Sequence, residues 1–171
     1  MVNLDNEYVK YPLLILALLT STALADTWTV DDDGKADFDN IQAAVDASSD
    51  GDEIIVMPGT YTSTADEVVN MIGKAVWLHS SEGQEVTIID GEGTRRGIYC
   101  ANGETPNTII EGFTITNGYA EYYGGGMRNF ISSPTLTDCT FTGNSAANYG
   151  GGMYNSYSNP SLTDCTFTNN T

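Results

Sequence analysis

The chain has 171 residues, of which 23 are acidic and six are lysine or arginine, and its net charge at pH 7 is −17. Because binding to a phosphate backbone requires a basic surface, this charge argues against nucleic acid as a partner. Cys100, Cys139 and Cys165 are odd in number and form no CxxC pair, so the sequence predicts neither a zinc site nor a dense disulfide framework. No cofactor is predicted either.

The segment 1–25 has the features of a secretory signal peptide. An unbroken apolar run at positions 13–19 is followed by Ala23-Leu24-Ala25, and cleavage there leaves a mature chain that begins at Asp26. No stretch of the sequence approaches the roughly 20 apolar residues of a transmembrane helix. We therefore expect a secreted or cell-surface protein. The acidic residues that precede the run leave an uncleaved anchor as the alternative.

Residues 26–52 are predicted to form an N-terminal cap that contains one short helix. In the helical pattern of residues 39–47, Asp39 can cap the N terminus and Gln42 stands in the capping-box position. The pattern has a single modest apolar face, which consists of Ile41, Ala44, Val45 and Ser48.

Five aspartates lie at or before the start of this helix, and they suggest either a calcium site or a turn with a helix cap. The spacing of an EF-hand loop does not fit, because with Gly34 in the glycine position Thr29 would be the first ligand. We therefore predict no metal site, and a structural role for Asp31, Asp32, Asp33, Asp37 and Asp39.

From residue 53 onwards the sequence consists of short apolar segments that are closed by turns. Irregular segments come first, and turns such as Pro58-Gly59 and Asp90-Gly91 separate them. These segments are residues 53–57, 75–78, 86–89 and 97–100.

The remainder of the chain carries a regular repeat. Residues 123–127 (YGGGM) return at 149–153, and residues 136–142 (LTDCTFT) return at 162–168, with the same offset in both cases. A diverged third copy precedes them, with Ile110, Phe113 and Ile115 in the apolar places. Apolar residues two apart, with threonines between them, are typical of strands with one buried face. The segments are too short and too rich in glycine to be the helices of a helical repeat protein.

This pattern predicts an all-β, right-handed parallel β-helix over residues 53–171. Successive coils would lie about 4.8 Å apart, and equivalent side chains would form columns. Because the last repeat stops at Thr171 without a cap, we expect the β-helix to be C-terminally incomplete. The predicted inward columns are Ile110, Leu136 and Leu162; Phe113, Cys139 and Cys165; and Ile115, Phe141 and Phe167.

The N-terminal segments resemble the opening of the pectin-lyase-like superfamily, which includes the pectinesterases. The matching stretches are residues 29–34 (TVDDDG), 38–47 (FDNIQAAVDA) and 51–61 (GDEIIVMPGTY). This resemblance implies the β-helix fold and, for a pectinesterase, paired aspartates with an arginine on one sheet face. The sequence has no segment of that kind, and the glutamine of residues 42–45 (QAAV) belongs to the predicted helix. His79, the single histidine, is predicted to have a structural role, because no carboxylate or serine motif lies near it in sequence.

The repeats resemble those of the polymorphic outer-membrane proteins, which are β-helix adhesins. The similarity lies in residues 124–127 and 150–153 (GGGM) and in Phe141-Thr-Gly-Asn144 and Phe167-Thr-Asn-Asn170. It implies surface display and adhesion. Asn129 with Asn155, and Asn144 with Asn170, are one repeat apart and are predicted to form structural ladders across coils.

The candidate ligand-binding residues are Arg128, Tyr154, Tyr123 and Tyr149. The register makes Arg128 and Tyr154 outward neighbours that can form a cation–π pair, whereas Tyr123 and Tyr149 can bind a ligand or simply stack at a coil corner.

No catalytic residues are predicted. The sequence thus indicates a non-catalytic β-helix protein that presents a rigid face to a polysaccharide or a cell-surface protein, in adhesion or in the cell envelope. The alternatives are a carbohydrate-active enzyme, namely a polysaccharide lyase, a pectinesterase-like esterase or a glycoside hydrolase, whose site lies in missing coils, and a structural spacer.

Overall fold

Over residues 24–171, seventeen short strands, all paired in parallel, stack into a β-helix with one helix near its start. The structure is a computed structural model that describes this range. Apart from Leu24 and Ala25, the predicted signal peptide lies outside the described residues. Within them, no helix has the length and apolar character that crossing a membrane requires.

The longest sheet, here called sheet A, has six strands. Its inward column begins at Trp28 and Ile54, and it continues through the predicted Ile110, Leu136 and Leu162. The predicted column is therefore confirmed and extends further towards the N terminus. The strands in spatial order are β1 (Thr27–Val30), β2 (Glu53–Val56), β5 (Trp77–Ser80), β8 (Ile109–Glu111), β12 (Thr135–Thr137) and β16 (Ser161–Thr163).

Sheet B follows sheet A in every coil from β2 onwards. Ile115, Phe141 and Phe167 lie in one inward column, as predicted, and the rings of Phe141 and Phe167 stack with centroids 4.7 Å apart. In the last coil Leu162 and Phe167 stay exposed. The strands of sheet B are β3 (Gly59–Tyr61), β6 (Thr87–Asp90), β9 (Thr114–Thr116), β13 (Thr140–Thr142) and β17 (Thr166–Thr168).

Sheet C completes the four coils that begin at β2, β5, β8 and β12, and it carries Arg128 and Tyr154, whereas Tyr123 and Tyr149 form a bridge outside its strands. Its inward side chains include Val69, Ile98 and Met127, which are fully buried. Its strands are β4 (Glu67–Asn70), β7 (Arg96–Cys100), β11 (Met127–Phe130) and β15 (Met153–Ser156). A two-stranded sheet of β10 (Tyr119–Ala120) and β14 (Ser145–Ala146) lies between sheets B and C in the chain.

The helix α1 (Ile41–Ala47) begins later than predicted. Asn40, not Asp39, is the N-cap, and its side-chain oxygen accepts a hydrogen bond of 2.8 Å from the backbone N–H of Ala43. Asp39 instead accepts a hydrogen bond from the Asn40 side chain. The cap prediction therefore had the wrong residue, because both side chains are good caps and sequence spacing does not separate them.

Gln42 takes part in no capping box but pairs with the edge of sheet C. Its Oε1 accepts a hydrogen bond of 2.7 Å from the N–H of Asn70, and its Nε2 donates one of 3.1 Å to the Asn70 carbonyl. The amide thus replaces the neighbouring strand that β4 lacks on this side. Since the buried residues of α1 include Ile41, Ala44 and Val45, the helix covers both core and edge at this end.

The predicted asparagine ladders are present. The side chain of Asn129 donates a hydrogen bond of 2.8 Å to that of Asn155, and Asn144 donates one of 3.0 Å to Asn170. Asn144 is fully buried, and it also bonds to the backbone of Gly118 and Ile115. These amides therefore connect consecutive coils.

Candidate functional site

All three arginines of the chain line one groove on the outer side of sheet C. The groove has a volume of about 500 Å³ and lies beside strand β10. In a chain with a net charge of −17, this convergence is the most distinctive feature of the surface. The lining includes Arg95, Arg96 and Arg128, the acidic residues Asp66, Glu67 and Glu121, and the aromatic residues Tyr119, Tyr122 and Tyr123.

Two of the arginines are held by the protein itself. Arg96 forms an ion pair of 3.0 Å with Glu67 and donates hydrogen bonds to the carbonyls of Tyr123 and Gly124. Burial lowers the pKa of Arg96 and raises the pKa of Glu67, because removal from water disfavours both charged forms. Arg95 pairs with Glu92. The side chains of both arginines are therefore paired within the protein and form part of the wall of the groove.

Arg128 differs from the other two arginines. Within residues 24–171 it takes part in no ion pair, and its buried Nε has no hydrogen-bond partner there. Its guanidinium lies over the rings of Tyr99, Tyr123 and Phe130, with centroid distances of 5.7, 5.7 and 5.6 Å, and these are cation–π contacts. Arg128 thus lines the groove as a positioned cation whose terminal amino groups make no hydrogen bond within residues 24–171.

The tyrosines form a stack that differs in one respect from the prediction. Arg128 and Tyr154 are register neighbours, but Tyr154 stacks on Tyr123, with centroids 4.6 Å apart, and the cation–π contacts of Arg128 go to other rings. Tyr123 also stacks on Tyr149 at 6.0 Å, as the coil-corner interpretation expects. The structure therefore brings together all four candidate residues, with Tyr123 at their centre.

Sequence reasoning missed a second cluster, on the outer face of sheet A. The ring of His79 stacks on Trp77 with centroids 4.1 Å apart, and its Nε2 lies 3.0 Å from Oε1 of Glu53. The indole N–H of Trp77 donates a hydrogen bond of 3.0 Å to Glu111. These carboxylates are distant from His79 in sequence. Their proximity could have been predicted only from the strand register, which pairs His79 with Glu111.

The aspartates before helix α1 serve the local structure. Asp37 accepts hydrogen bonds from the backbone and side chain of Thr29, Asp31 accepts one from the N–H of Asp33, and Asp32 accepts one from Thr60. These contacts support the predicted turn.

The cysteines are free thiols in the structure. Cys100 and Cys139 are buried, whereas Cys165 is partly exposed in the last coil, next to Cys139 in the predicted column. The neighbouring Cys139 thiol lowers the pKa of Cys165 to about 6, and the pKa of Cys139 is raised by Cys165 and by its own burial.

We predict that Cys165 reacts selectively with iodoacetamide. The thiolate is the nucleophile, so the alkylation rate of Cys165 is expected to rise with pH and to be half-maximal near pH 6. The alkylation rate of an ordinary cysteine is half-maximal near pH ~8.5. Mass spectrometry after alkylation of the folded chain across pH 5–9 measures this profile. In a Cys139→Ala variant the midpoint should move upwards, and an unchanged midpoint would contradict the role of Cys139.

Comparison with models of known protein families and a search among curated proteins both found no match. The fold and the geometry of the chain's own residues are therefore the basis for assigning a function.

Proposed function

We propose that this protein is a non-catalytic, secreted or surface-displayed β-helix repeat protein that binds a polysaccharide in the groove of sheet C. The observation that carries this proposal is the convergence of all three arginines with exposed tyrosines in one groove. The exposed rings of Tyr119 and Tyr122 offer flat apolar surfaces to sugar rings, and the terminal amino groups of Arg128 offer unpaired donors to hydroxyl groups. A role in adhesion or in the cell envelope follows from such binding.

The charges of the groove favour an uncharged polysaccharide. Three arginines face three acidic residues, so that the lining carries little net charge, while the chain as a whole is strongly acidic. A polyanion would be repelled at long range by this acidic surface. The acceptors Asp66 and Glu121 and the donor Arg128 instead suit the hydroxyl groups of a neutral sugar, which both donate and accept hydrogen bonds.

An array of neutral and acidic oligosaccharides, followed by calorimetry of the hits, tests this proposal. The wild-type chain is expected to bind a neutral oligosaccharide, and Arg128→Gln should weaken binding about tenfold, because a charged donor is lost. Tyr122→Ala, which removes a ring that is 57% exposed, should weaken it by a smaller factor.

Lys35→Gln is the matched control, because it removes the same charge from an exposed side chain outside the groove. Circular dichroism checks that each variant is folded. Equal affinities of Arg128→Gln and Lys35→Gln would overturn the proposed site. Binding to acidic glycans alone, or to none, would overturn the proposed ligand class.

A further inference from the structure

Trp77 borders a second groove, on a different face of the β-helix from the arginines. This groove has a volume of about 460 Å³, within the range of small-ligand sites, and Asp50, Gly51, Ala75, Asn107 and Ile109 line it together with Trp77. Trp77 is 40% exposed and lies on β5, so that its indole ring stands on the outer face of sheet A. A large apolar ring is thus held at the surface, at the edge of a concave site.

The orientation of the indole is fixed from two directions. His79 covers one side of the ring in a stack with an interplanar angle of 23°, and Glu111 accepts the indole N–H at 3.0 Å. His79 is itself held by Glu53. Because the ring is already ordered, a ligand that stacks on it does not have to immobilise it, which lowers the entropic cost of binding.

Two polar side chains stand in the same groove. Oδ1 of Asp50 accepts a hydrogen bond of 2.9 Å from the N–H of Ala75, which orients the carboxylate and leaves its second oxygen available. The side-chain amide of Asn107 makes no hydrogen bond within residues 24–171, and it can both donate and accept. The groove therefore combines one aromatic wall with a carboxylate and an amide.

We propose that the Trp77 groove is a binding site for a single uncharged sugar ring. The apolar face of a pyranose would stack on the indole side that His79 leaves free, while its hydroxyl groups donate to Asp50 and exchange hydrogen bonds with Asn107. The acidic surroundings, which include Glu53 and Glu111, select against anionic sugars. This site uses other residues than the arginine groove and does not depend on the function proposed for it.

Saturation-transfer NMR of the full chain tests the site, with the methyl glycosides of glucose, mannose and galactose as probes. We expect saturable binding of at least one probe, with a Kd of about 1 mM or weaker, as is usual for a small ligand with few contacts. Trp77→Ala should weaken binding about tenfold, and Asn107→Ala about threefold. Lys35→Gln, whose exposed side chain lies outside both grooves, should bind the probe as the wild type does.

Several results would overturn the proposal. They are the absence of binding by all three glycosides, unchanged affinity in Trp77→Ala, and tighter binding of tetramethylammonium than of any glycoside, since a cation can also contact an indole between carboxylates. If Trp77→Ala does not fold, Asn107→Ala decides, because this exposed side chain has no hydrogen bond within the described residues to lose. Unchanged affinity in Asn107→Ala then excludes the site.

Discussion

A lysine in place of Val45 is expected to destabilise the protein by about 3–5 kcal/mol, or to prevent folding, because Val45→Lys places an ammonium group against the first coils without a partner. Val45 is fully buried on the inner side of α1. The substitution also removes apolar contacts from the cap. Urea denaturation followed by far-UV circular dichroism measures the change in the free energy of unfolding.

Ala47→Lys provides the control for this prediction. Ala47 lies in the last turn of the same helix and is exposed, so a lysine there is expected to change stability by less than ~0.5 kcal/mol. If Val45→Lys has the same denaturation midpoint as Ala47→Lys, the helix does not cover the core in solution.

Asn144→Ala is expected to cost about 3 kcal/mol, because truncation leaves buried backbone groups unpaired, which is more costly than the loss of an exposed hydrogen bond. The Asn144 amide accepts a hydrogen bond of 2.8 Å from the N–H of Gly118 and donates one of 2.9 Å to the carbonyl of Ile115, and both bonds are buried. The substitution also removes one side of the contact with Asn170. Chemical denaturation of the purified variant measures the effect.

Asn159→Ala is the matched substitution, because Asn159 is exposed and its recorded hydrogen bond, to Ser133, is made by its backbone N–H. The free energy of unfolding of Asn159→Ala should stay close to that of the wild type. Equal losses in the two variants would show that the buried ladder contributes no more than a surface amide.

The inward columns could be predicted from the sequence because the constant offset between repeats and a period of two along each strand fix both register and face. The asparagine ladders followed from the same offset. The strand β1 was not predicted, because its alternation lies in the segment that the sequence analysis assigned to the cap. The contacts of Gln42 with Asn70 could not be predicted either, since the offset between them belongs to no repeat.

The candidate site was predicted only in part. The offset between repeats placed Arg128 beside Tyr154, but it does not give the direction in which a long side chain extends. The contacts of the Arg128 guanidinium with the rings of Tyr99 and Phe130 were therefore not predicted. The arginines Arg95 and Arg96 lie in the irregular coils, where no offset relates them to the repeats.

The cluster around Trp77 was missed for the same reason. The first coils differ in length, so that the step along the chain from Glu53 to its partner Trp77 is shorter than the step from Trp77 to its partner Ile109. Neither step equals the offset of the later repeats. The sequence therefore contained no constant spacing from which the neighbours of Trp77 could be counted.

The register of the last coils also limits how the length of this chain can change in evolution. Met127 pairs with Met153, and Leu136 with Leu162, so a duplication or loss of one complete repeat returns every side chain to an equivalent place. Loss of one residue within a strand would instead turn all following side chains of that strand to the opposite face. Tolerated insertions and deletions are therefore expected as whole coils, or within turns such as those between β5 and β6 and between β7 and β8, which lengthen the step from β5 to β8.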